Sequence, residues 1–172
     1  PPPPPERFCI LFVSANNSDE AKLRLEREVE MMWDAFTAEC GEDAWRGVVV
    51  FQHFLFADMQ HLVKGLLDFK PVVVHFACHG HQSALSLYQD PVSVQRLTDT
   101  LAVWSGETGG GALRLVVANA CHSADLATAL SKYVDFVVGH HAPVKDVAAV
   151  QFAKVLYKAL GAGHSLRTSF QL

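Results

Sequence analysis

The chain has 172 residues, half of them hydrophobic, and 14 Lys and Arg against 18 Asp and Glu give it a formal net charge of −4. That length accommodates one well-buried core, and a slightly acidic balance with no basic run argues against nucleic acid as the main partner. No stretch reaches the roughly 20 apolar residues of a membrane span, so no membrane partner is expected.

The chain opens on Pro1 to Pro5, which fits neither a helix interior nor a central strand and reads as an extended polyproline linker. Residues 1–6 are therefore expected to be a linker and 7–172 one domain. The lack of an initial Met suggests excision from a longer protein, whose other domains are expected to regulate this one.

A first strand is predicted over 7–14. A helix over 19–39 follows, with Leu25, Val29, Met32 and Phe36 on one face and Asn17 or Ser18 as its cap. A second strand is predicted over 47–54, then a helix over 58–69 presenting Met59, Leu62, Val63, Leu66 and Leu67. The apolar run at 72–76 is the third strand. Residues 81–91 have no clear period and read as a loop or short hairpin over whatever site lies there.

Residues 92–104 read as helical and 106–111 as a flexible loop. The triple glycine Gly109-Gly110-Gly111 precedes a strand and has no Gly-Lys-Ser/Thr after it, so it is a turn and not a phosphate loop. The fourth strand covers 113–118, a helix 123–130, the fifth strand 135–140 and the last helix 144–160. Strands alternating with helices predict a three-layer α/β fold, with a mostly parallel sheet, helices on both faces and right-handed crossovers.

Two motifs sit just past the third and fourth strands: His79-Gly80, and Asn119-Ala120-Cys121-His122-Ser123. Ligands of open α/β sheets bind outside the carboxyl ends of the strands, and parallel neighbours lie about 4.8 Å apart, so Cys121 and His79 are a candidate nucleophile and base. A cysteine attacks as thiolate and needs an imidazole or a helix N-terminus nearby; the helix expected after Cys121 orients its dipole accordingly. Gly80 allows a tight turn, and its N–H with that of Cys121 would face a tetrahedral oxyanion.

Cys9 and Cys40 read as core or surface thiols. Four cysteines without close pairing or a signal peptide point to a reducing, cytoplasmic compartment. The dipeptides Cys78-His79 and Cys121-His122, with His81, His140 and His141, raise a zinc alternative. Adjacent strand residues point to opposite faces, however, so each dipeptide offers one ligand at most, and no metal is expected. His75, inside a strand, reads as structural; His122 and Ser123 read as helix-cap residues.

These motifs carry a resemblance. The order Leu11-Phe12-Val13-Ser14-Ala15-Asn16, Val74-His75-Phe76-Ala77-Cys78-His79-Gly80, Val117-Ala118-Asn119-Ala120-Cys121 and Asp135-Phe136-Val137-Val138-Gly139 resembles the CHAT branch of the caspase-like cysteine proteases, and more distantly caspases, metacaspases and separase. The likeness covers nearly all of the chain after the proline run. It implies a caspase-like fold and a peptide hydrolase with His79 as general base and Cys121 as nucleophile. It singles out no substrate; a protein or peptide substrate and no cofactor are expected.

Caspases carry Gln two residues before the nucleophile and metacaspases an acidic residue. Asn119 stands there in this chain, able to hydrogen-bond but not to supply a counter-charge, so neither preference carries over. Asp146 is the acidic residue that could face the pocket, against the plainer reading that it opens the next helix. The alternative is a catalytically silent caspase-like module that binds partners. A flavodoxin-like small-molecule binder would share the sheet but leave both motifs unexplained.

Overall fold

The computed structural model describes residues 8–16, 23–40, 49–88, 90–106 and 111–171. The expected linker, the Asn17 or Ser18 cap and Gly109-Gly110 lie outside them.

Strand β1 (Phe8–Ser14) is buried at every residue after Phe8, the pattern of a central parallel strand covered on both faces. It is flanked by β2 (Val49–Phe54) and β3 (Val73–Ala77); beyond β3 lie β7 (Leu115–Asn119) and β8 (Phe136–Val138). The five strands run in the order β2-β1-β3-β7-β8, and all are parallel. Alternate residues face opposite layers. Leu11, Val13, Val74, Phe76, Val116 and Ala118 form one core with α2 (Met59–Phe69), α3 (Val94–Ala102) and α4 (Ala124–Leu130). Ile10, Phe12, Val73, Leu115 and Val117 form the other with α1 (Leu25–Cys40) and α5 (Asp146–Gly161). The result is the expected three-layer α/β arrangement, consistent with a caspase-like fold.

Local chemistry sets several boundaries. Asp58 caps α2 by accepting from the His61 N–H at 2.9 Å, and Lys70 ends it in the left-handed region at φ 46°. Ser93 caps α3 through the Arg96 N–H, which moves that helix two residues later than the sequence predicts. Helix α1 begins at Leu25, not at 19: Leu23 and Arg24 are not helical, and the Asn16 amide binds both the N–H and the carbonyl of Leu23.

The stretch after His79 takes the hairpin alternative and extends it by a third strand. β4 (His79–His81), β5 (Ala84–Ser86) and β6 (Pro91–Ser93) form a three-stranded antiparallel sheet. Strands this short carry too few residues for a period to show. The helix α6 (Leu166–Gln171) was likewise not anticipated. Among the described residues no helix is long and apolar enough to cross a membrane.

Candidate active site

β3 and β7 are parallel neighbours in which Ala77 pairs with Asn119, the last residue of each strand. His79 lies two residues beyond Ala77, and Cys121 two beyond Asn119. The intervening Cys78 and Ala120 are both buried in the core of the α2, α3 and α4 layer, whereas His79 and Cys121 are half-buried. The same offset from one register pair brings the two candidate residues to the same end of adjacent strands.

Gly80 has a role other than the expected turn. It lies within β4, opposite Leu85, and Gly163 is the one glycine with positive φ among the described residues. A Cβ on Gly80 would run into the Cys121 carbonyl oxygen. Glycine is required for close approach of the small sheet to the cysteine turn.

His122 turns the chain directly after the cysteine, in the left-handed region at φ 52°, a conformation uncommon for a non-glycine residue. Ser123 occupies the N-cap position of α4 but makes no side-chain cap bond. Its hydroxyl hydrogen is instead shared between the Ala118 and Ala120 carbonyls, at 2.8 and 2.7 Å, which fastens the turn to the end of β7.

Segment 139–145 passes over this turn as a strap. At its near end the His140 N–H donates to Ser123 Oγ at 3.0 Å, and the His140 carbonyl accepts from the Ala124 N–H. Further along, the Val144 N–H donates to Cys121 Sγ at 3.4 Å, and the thiol faces the Val144 carbonyl at 3.8 Å. The sulfur is thus bracketed by one residue's backbone. A side-chain reading of the sequence has no signal for such a contact.

Beneath the strap lies a polar chain. Tyr157, His75 and Glu28 are buried. The Tyr157 hydroxyl donates to His75 Nδ1 at 3.1 Å, and His75 Nε2 donates to the Glu28 carboxylate at 3.1 Å. Asn119 Nδ2 donates to the same carboxylate oxygen and to the Ala149 carbonyl. Its Oδ1 then accepts from His140 Nε2 at 3.2 Å, which places the His140 ring proton on Nε2. Every group in the chain has a complementary partner, as buried polar atoms require. Burial, reinforced by the Glu28 charge, pushes the Tyr157 phenol well above its ordinary range, and burial holds the His140 imidazole below its own.

His75 is therefore structural, as read from its place inside a strand. Glu28 was missed. The available signal was a carboxylate three residues after Leu25 and four before Met32, on the apolar stripe of α1, whose buried residues include all three. Asn119 sits under the site with its amide committed to Glu28, Ala149 and His140. Asp146 opens α5 and accepts from the Arg24 N–H at 3.4 Å, with the Arg24 guanidinium 3.7 Å away.

The four cysteines are free thiols. Cys40 donates to the Gly161 carbonyl at 3.1 Å, and burial raises the Cys9 thiol to about 11.

No protein-family profile matches the chain. It is similar to a protein named Roc-COR-CHAT protease from an unknown prokaryotic organism, with 21% identity over 158 residues. That likeness covers 88% of this chain and 15% of the relative, so the chain spans a small part of the relative's length.

Proposed function

We propose that the domain is a cysteine endopeptidase in which Cys121 is the nucleophile and His79 the general base. The observation that carries this reading is the shared two-residue offset of His79 and Cys121 beyond the Ala77–Asn119 pair. The contact of Gly80 with the Cys121 carbonyl and the distant likeness to a protein named a protease support it further.

In this mechanism His79 accepts the Cys121 proton and the thiolate adds to the peptide carbonyl. The Gly80 and Cys121 N–H groups face the resulting oxyanion. Collapse expels the amine, which takes its proton from His79 and leaves a thioester on Cys121. His79 then deprotonates a water that hydrolyses the thioester and restores the thiol.

The Val144 backbone rests on the Cys121 sulfur, and in this reading that contact opens before a substrate carbonyl is attacked. Asn119, buried with its amide committed to Glu28, Ala149 and His140, would contact substrate only if those bonds opened. Asp146 would join it only by leaving Arg24. Control by attached domains of a longer chain fits a strap of this kind, and four free thiols fit a reducing, cytoplasmic setting. A silent binding module would use the same crevice without chemistry.

Hydrolysis of an internally quenched peptide library separates the readings. Cys121→Ala is expected to abolish cleavage and His79→Ala to slow it by about 10²–10⁴-fold, the usual contribution of a general base. Cleavage that survives Cys121→Ala contradicts the assignment.

A further inference from the structure

The two outer strands of the large sheet differ. β8 is three residues long, whereas β2 pairs with β1 over all six of its residues without a bulge. Its sequence, Val49-Val50-Phe51-Gln52-His53-Phe54, holds no Lys, Arg, Asp, Glu or Pro. Charge, proline, bulges and short length are the devices that keep an exposed strand edge from taking up another chain, and β2 has none of them. Among the described residues nothing pairs with its outer side, toward which alternate residues point their N–H and C=O groups.

Helix α1 runs beside this edge. Val49 and Phe51 pack on the α1 side of the sheet, and the Trp33 and Phe51 rings lie 5.1 Å apart. A groove of about 460 Å³ between helix and strand is lined by Val29, Glu30, Trp33, Asp34, Val49 and Phe51. Glu26, Glu30 and Asp34 form one row along α1, each four residues from the next, and all three are exposed. Burial holds the His53 imidazole below its ordinary range and the Glu26 charge opposes it, so the row runs from Glu26 near His53 to Asp34 in the groove with Val49.

None of these three carboxylates makes a hydrogen bond or ion pair among the described residues, whereas Glu39 on the same helix is held by Lys158 at 3.4 Å. Like charges four apart on a helix repel, so the row costs stability until cations meet it. The spacing suits an extended chain. Four helical residues rise about 6 Å and two strand residues about 6.7 Å, so a strand added to β2 with a cationic side chain at every second position would bring one to each acid. The stem of such a side chain can lie over the Trp33 ring, whose face favours the cation.

A second copy of the chain fits poorly. Antiparallel pairing of β2 with itself keeps both α1 helices on one face of the joined sheet and sets one acidic row against the other, an arrangement that like charge disfavours. Nor does any segment of the 172 residues carry Lys or Arg at three successive alternate positions.

We propose that β2 and the row of Glu26, Glu30 and Asp34 form a docking edge for an extended segment of a partner protein, which adds as a sixth strand and carries Lys or Arg at alternate positions facing α1. Main-chain bonds hold the strand and the acidic row selects its sequence. β1 separates this edge from the strands that lead to His79 and Cys121, and the proposal does not depend on the protease reading.

The test uses short fluorescein-labelled peptides in which Lys alternates with Val, Glu alternates with Val, or the same Lys and Val residues stand in two blocks, read by fluorescence anisotropy with the whole chain. The alternating Lys peptide is expected to bind more tightly than the block peptide, the Glu peptide not to bind, and amide exchange at alternate residues of Val49–Phe54 to slow on binding. Glu30→Gln with Asp34→Asn is expected to weaken binding about fivefold, the scale of two solvent-screened pairs, and Glu30→Lys with Asp34→Lys to weaken it further. Equal binding of the alternating and block peptides, unchanged exchange in β2, or unchanged affinity in both variants overturns the proposal. Slow β2 exchange in the peptide-free chain, with a dimer in sedimentation, would assign the edge to a second copy and overturn it as well.

Discussion

Asn119 connects more of the molecule than its place two residues before Cys121 suggests. Through one amide it joins α1 at Glu28, α5 at Ala149 and the strap at His140. Removing it leaves a buried carboxylate short of a donor and a backbone carbonyl without its partner. Asn119→Ala is therefore expected to destabilise the fold by about 1–3 kcal/mol, measured by urea denaturation of the otherwise unchanged chain. A loss within a few tenths of a kcal/mol would mean that solvent replaces the amide at both partners. The sequence reading recognised Asn119 as a hydrogen-bonding residue at the site but not its partners. Glu28 is 91 positions away, and a pairing over that distance leaves no trace in local spacing.

At the level of elements, the long apolar runs were legible because each has one possible destination. β1, β3 and β7 are apolar runs interrupted only by His75, Ser14 and Asn119, and a strand buried on both faces has no alternative to the centre of a sheet. Their parallel pairing and their carboxyl-end motifs followed from that. The small sheet was legible only as a loop or short hairpin. The three strands of the small sheet have three residues each, and the strap is held by main-chain contacts that side-chain patterns do not encode.

The burial of β1 has a consequence in alkaline solution. Cys9, 1% exposed, holds its proton up to about 11 in the folded chain against 9.0 for the ordinary thiol. Above pH 9 the unfolded chain releases a proton that the folded chain keeps, so stability falls as pH rises from about 9 to 11. The loss from this residue approaches about 2–3 kcal/mol. Denaturation midpoints across that window are expected to fall less steeply in Cys9→Ala; an equal slope in both proteins would contradict the assignment. Tyr157, raised in the same direction, contributes its own decline above pH 10, which the Cys9 variant retains.

The whole molecule presents a mixed picture of readiness and restraint. One end of the sheet gathers His79, Gly80 and Cys121, and the same end carries the strap whose Val144 backbone rests on the sulfur. Under the proposed protease reading, the strap would have to move before the thiol attacks. The relative that the chain resembles is one of which it spans 15%. The small sheet, the cysteine turn and the strap meet around the cavity lined by Ser83, His122 and His141.

The measurement closest to the central claim is intact-mass labelling with peptidyl electrophiles bearing basic, acidic or apolar residues next to the warhead, applied to the wild type, Cys121→Ala and His79→Ala. The account predicts a single adduct on the wild type, none on Cys121→Ala and a slowed reaction on His79→Ala. Adducts that persist in Cys121→Ala, or wild-type labelling as fast as that of His79→Ala, would contradict it.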